Sequence, residues 1–138
     1  MKLITFISAG TFILLSAFIM KKNNTATQSL YDTKWLLKKI YRETGVEEVQ
    51  TKAFIKFDAA KKSAGGNGSC NSFGSSFTIS GNTISFNNIF STKMYCEGVQ
   101  QTEDAFFKLL DKVNRFEVRD KELILYRDKD VLLKFVSE

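Results

Sequence analysis

A chain of 138 residues with 43% hydrophobic and 25% charged positions has a globular composition and room for one ordinary domain. It contains no His, the commonest general base and metal ligand, so histidine-based triads and His-ligated zinc are excluded. The net charge of +5 comes from lysines scattered among apolar and acidic residues, so nucleic acid is not expected as a partner.

The chain opens with Lys2, an uncharged and mostly apolar run from Leu3 to Met20, and then Lys21-Lys22. As a helix this run would span about 27 Å, the lower limit for a membrane crossing and long for the core of a signal peptide. Residues 1–22 read as either a signal peptide or an N-terminal membrane anchor, residues 23–33 as a linker, and residues 34–138 as the domain. Cleavage after Ala17 or Ala26 would place Leu15 or Asn24 where a small residue is needed, and no Cys near the run could carry a lipid. The expected location is the periplasm or cell envelope, with attachment to the membrane if the segment is not cleaved.

In the domain, Lys34–Arg42 reads as a strand with Trp35, Leu37 and Tyr41 on one face, and 53–58 as a second with Ala53, Ile55 and Phe57 together. Gly65-Gly66-Asn67-Gly68-Ser69 lacks the Gly-Lys-Ser/Thr ending and following helix of a phosphate loop, so its glycines point to a bulge or close backbone approach in a bent strand. An alternating strand follows through Phe73, Phe77 and Ile79, then hairpin chemistry at Ser80-Gly81-Asn82-Thr83 and a return strand over 83–87 with Ile84 and Phe86 inward. Phe106, Leu109, Leu110 and Val113 form the stripe of a helix over 101–114, with Thr102 as N-cap, Glu103 and Asp104 at the positive dipole end, and Asn114 as stop. Three short strands end the chain, at 116–119, 122–127 and 131–136. With no Pro, the turns must use Gly, Asn, Asp and Ser.

The expected class is mainly β (α+β), with seven or eight short strands in a small antiparallel barrel-like or strongly curved sheet and one inserted helix. A β-sandwich is the alternative. Cys70 and Cys96 are the only cysteines, and an even count behind an export segment reads as one disulfide. Two reduced, buried thiols are the other reading, and without His they make only half a zinc shell. Ser63, Ser69, Ser72, Ser75 and Ser76 have no base to activate them, so neither catalysis nor a cofactor is expected.

Gly68-Ser69-Cys70-Asn71-Ser72-Phe73, then Ser91-Thr92-Lys93-Met94-Tyr95-Cys96, and then Glu103–Leu110, stand in the order and spacing of a family pattern. They resemble the META/HslJ domain, the domain of heat-shock HslJ-like envelope proteins, over about Trp35 to Phe135. Tyr95, Glu97 and Ser75 depart from its usual residues. The resemblance implies a small β fold with one helix, an envelope location, association with stress or antibiotic tolerance, and no established catalytic activity. Gly68, Asn71, Phe73, Ser91, Thr92, Lys93 and Met94 carry the motif and are expected to be structural. The expected partner is an envelope protein or component. A small apolar ligand held in a cavity and a protease-inhibitor-like role are the alternatives, and a monomer is expected.

Overall fold

Alternation of apolar side chains along short segments produces nine antiparallel strands in a computed structural model that describes residues 28–138. The signal or anchor reading of 1–22, and the first part of the linker, lie outside the described residues. The strands are β1 (Trp35–Arg42), β2 (Gly45–Glu48), β3 (Phe54–Asp58), β4 (Ser63–Asn67), β5 (Ser72–Ser80), β6 (Thr83–Ser91), β7 (Arg115–Arg119), β8 (Glu122–Arg127) and β9 (Asp130–Ser137). The one helix among the described residues, α1 (Gln100–Leu110), joins β6 to β7.

All strands belong to one sheet in the order β2-β1-β3-β4-β5-β6-β7-β8-β9, and a β1–β9 pairing closes the hydrogen bonds into a ring. One curved sheet with one helix is therefore the architecture, and the two-sheet sandwich alternative is not. Its interior is filled by Trp35, Leu37, Ile40, Ile55, Ile84, Leu123, Leu125, Leu133 and Phe135 from the strands and Phe106 and Leu110 from α1, all fully buried. Phe106 meets Phe73 and Phe135 edge-on, with centroids 5.4 and 5.9 Å away. Burying each large side chain contributes on the order of 2–3 kcal/mol, so α1 is anchored chiefly by two residues.

Several expectations change in detail. Tyr41 does not share the face of Trp35 and Leu37: the β1–β9 register slips between Leu37 and Lys39, and Ile40 takes the inward place. The short hairpin strand β2 has only Val46 as an apolar residue, half exposed, and so gives no alternation to read. β4 is nearly invisible for the same reason, being Ser-Ala-Gly-Gly-Asn. β6 runs on to Ser91, four residues beyond the expected end. Most turns use the expected residues: Asp32, Gly81, Asp120 and Asp128 have positive φ, with Lys62 an exception. Gln28–Thr33, assigned to the linker, packs on the domain, where Leu30 and Thr33 are buried and Leu30 C=O accepts from Trp35 Nε1 at 3.0 Å.

The glycines of β4 allow close approach of backbone. A Cβ on Gly66 would stand 2.1 Å from the Phe54 carbonyl oxygen of β3. Gly66→Ala should force β3 and β4 apart and lower stability by about 2–3 kcal/mol in urea unfolding. Wild-type stability would mean that the two strands do not pair in this register.

Candidate functional site

At one rim of the sheet the β4–β5 turn, the segment after β6 and the first turn of α1 converge. Asn67 begins the turn, accepting at Oδ1 from Ser69 N–H at 2.9 Å. Ser69 adopts a φ of 124°, and Gly68 N–H donates to Asn71 C=O at 2.9 Å. Gly68 is required by contact: a Cβ there would lie 2.5 Å from the Phe107 ring and 2.8 Å from Glu103 Cγ.

Asn71 is 3% exposed, and its polar groups are all occupied. Its Nδ2 donates to Glu103 Oε1 at 2.5 Å and to Met94 C=O at 2.9 Å. Its Oδ1 accepts from Thr92 Oγ1 and Met94 N–H, both at 2.8 Å. Its backbone N–H donates to Glu103 Oε2 at 2.6 Å, and Cys70 N–H donates to the same oxygen at 2.8 Å. The Glu103 carboxylate, 1% exposed, therefore accepts three hydrogen bonds. A buried carboxylate is tolerated only when hydrogen-bonded, and bonds to it are about twice as strong as neutral ones. Its place in the first turn of α1 adds the favourable end of the helix dipole.

A Cys70–Cys96 disulfide, with Cα atoms 5.8 Å apart, ties the same two segments together. Thr92 N–H adds a bond to Ser72 C=O at 3.1 Å. Of the motif residues, Gly68, Cys70, Asn71, Thr92, Met94 and Cys96 are thus brought together. Phe73 instead faces the core against Phe106 and Phe107, Ser91 ends β6 opposite Phe73, and Lys93 is exposed with Nζ 3.4 Å from Ser91 Oγ. The segment held by these bonds leaves Met94 59% and Tyr95 77% exposed. They flank a shallow groove of about 260 Å³, lined also by Lys93, Gln100, Asp104 and Phe107.

The role of Glu103 goes beyond the dipole charge expected of it. Its signal was its position: three residues before Phe106 and seven before Leu110, it sits on the apolar stripe, where a charge needs a buried partner. Thr102 is not the N-cap. The helix starts one turn earlier after Val99, with no side-chain cap, and Thr102 Oγ1 donates to Glu47 Oε1 of β2 at 2.6 Å. Nor is Asn114 the stop: α1 ends at Leu110, and Asn114 makes two bonds with Asp128 instead.

Burial tends to raise the Glu47 carboxyl, but bonds from Thr102 and Arg42 outweigh it and hold the group below the usual carboxylate range. A lowered folded value stabilises above the unfolded value of about 4.3 and is lost as pH falls through the folded one. Thr102→Val should lower stability at pH 7 by about 0.5–1 kcal/mol and make the acid-side loss shallower, as pH-dependent urea unfolding would show. An unchanged acid limb would mean that the hydroxyl does not hold Glu47.

A family model described as META domain matches residues 28–138, which spans the rim network and the sheet that carries it. The chain belongs to the META domain family. An NMR structure of a protein from Burkholderia xenovorans is similar to this META domain protein at 22% identity, with a TM-score of 0.67, covering 98% of this chain and 99% of that one. A second NMR structure is similar at 17% identity and a TM-score of 0.56, covering 75% of this chain and 88% of that one. These likenesses concern the fold. No curated protein matches the sequence significantly.

Proposed function

We propose that this META domain is a non-catalytic binding module of the cell envelope that presents Ser91–Cys96 to a partner protein or envelope component, in a role tied to stress or antibiotic tolerance. The observation that carries this reading is the contrast within one segment: Asn71, Glu103 and a disulfide fix it from beneath, while Met94 and Tyr95 stand exposed above. Exposed apolar side chains on a soluble rim mark interaction sites, and a segment already ordered loses little entropy on binding. An open depression of about 910 Å³ between α1, β1 and β9 is lined mostly by charged and polar side chains, among them Arg42, Asp104, Lys108 and Arg127, which favours the rim over an apolar ligand held there. The resemblance to HslJ-like envelope proteins supports export and the tolerance role.

A protease-inhibitor-like role is the second reading, favoured by the disulfide at the base of an exposed segment. A photoreactive residue in place of Tyr95, in the full-length protein in its native envelope, separates the two. One discrete adduct, lost on Met94→Ser, supports the binding reading, and a protease in that adduct selects the inhibitor. No adduct, or the pattern given by a probe at Lys129, would overturn both. Turnover of any substrate abolished by one Ser substitution would overturn the non-catalytic reading.

A further inference from the structure

Glu103 carries a charge that no cation among the described residues neutralises. Its carboxylate is 1% exposed and accepts from Cys70 N–H, Asn71 N–H and Asn71 Nδ2, which solvate the charge but set no full positive charge against it. The ion pairs among the described residues all lie elsewhere. Asp104, next along α1, is exposed and takes part in none of them either. Its Oδ1 accepts from Gln100 Nε2 at 2.9 Å, and its Oδ2 has no partner among the described residues.

Both carboxylates line the shallow groove of about 260 Å³ at the rim, whose apolar walls are Met94, Tyr95 and Phe107. Lys93 is the one cation among its lining residues, and its Nζ lies 3.4 Å from Ser91 Oγ. In a chain of net charge +5, two carboxylates therefore stand against one ammonium in a single depression. Charge is felt more strongly there than in open water, because the effective dielectric falls toward the interior. An anion would meet both carboxylates, and a neutral apolar group would strip water from them with nothing in return. A cation gains from both, and from the face of an aromatic ring, which attracts positive charge. The apolar walls suit a cation carried on an alkyl stem rather than a bare ion.

We propose that this groove takes a basic side chain of the partner, an arginine by preference, with its stem along Met94 and Phe107 and its guanidinium between the Tyr95 ring and Asp104. Arginine fits better than lysine because its planar fork bonds a carboxylate while its face stacks on a ring. Asn71 holds Met94 by both its N–H and its C=O, so the wall stands before the side chain arrives. The proposal rests on the rim being a binding surface and names the chemistry that the rim selects.

The test is an NMR titration of the full-length protein, held in neutral maltoside micelles, with N-acetyl-arginine amide and with the corresponding citrulline compound, which has the same shape and no charge. Arginine should shift the amides of residues 93–95 and 100–104 saturably, and citrulline should bind about fivefold more weakly. Asp104→Asn, an exposed change outside the Asn71 network, should weaken arginine binding by about threefold, and Lys93→Met should tighten it, since a like charge leaves the groove. No shift, shifts of equal size at the 128–130 turn, or equal binding of citrulline would overturn the proposal. So would Asp104→Asn at wild-type affinity, or Lys93→Met no tighter than wild type. If the photoreactive residue at Tyr95 still gives its adduct beside such a result, the basic side chain alone is overturned, whereas a missing adduct overturns the rim reading itself.

Discussion

Glu103→Gln is expected to lower stability by about 2–4 kcal/mol, although the side chain keeps its size. The carboxylate accepts from Cys70 N–H, Asn71 N–H and Asn71 Nδ2 at a site closed to water. An amide can offer one oxygen, and its NH₂ must then face at least one of these donors. Two buried donors pointed at each other leave both without a partner, which costs more than a mean hydrogen bond contributes. Asn71 is the residue that passes the damage on, because the same side chain holds Met94 by both its N–H and its C=O. Loss should therefore be largest in the 92–99 segment, with β7–β9 near wild type. Urea unfolding gives the stability, and a change below about 0.5 kcal/mol, the usual range for a surface substitution, would mean that the carboxylate is not the buried acceptor described.

The second large effect is expected from Cys70→Ser with Cys96→Ser. The bond spans 26 residues, and closing such a loop restricts the unfolded chain by about 3 kcal/mol on the entropic account. The loop contains β5 and β6, whose own pairing survives, so the sheet should remain while the melting temperature falls. Combining this change with Glu103→Gln should give a loss different from the sum, since both act on the segment between Thr92 and Cys96. Simple additivity in a double-mutant cycle would mean that bridge and network restrain different things.

Sequence made the inward faces of β3, β5 and β6 legible, because their apolar residues alternate and the other face is wet, whereas β8 buries Leu123 to Tyr126 consecutively and was legible as an apolar run between charged turns. β2 and β4 escaped for a shared physical reason: their pairing is made by backbone, and each has a single apolar side chain, Val46 or Ala64, among Gly, polar and charged residues. The helix was legible from Phe106 and Leu110, but its start was not, since Val99 carries no capping side chain and Thr102 is turned toward Glu47. At the site, the paired cysteines and Asn71 stood out as a pattern, yet the partner that explains Asn71 lies thirty-two residues away. Only the third dimension joins a carboxylate on a helix to an amide in a turn.

The central claim is that a buried polar network holds the Met94–Tyr95 segment rigid beneath its exposed side chains, and amide hydrogen exchange by NMR tests it most directly. The Asn71 and Met94 N–H groups donate at 2.6 and 2.8 Å, so they should exchange as slowly as the amides of the β8–β9 pair, and Glu103→Gln should speed both by at least a hundredfold, the factor for about 2.7 kcal/mol. Exchange of these two amides in the wild-type protein at the rate of the exposed Asp128–Asp130 turn would contradict the account, because an open segment would then be carrying Met94 and Tyr95.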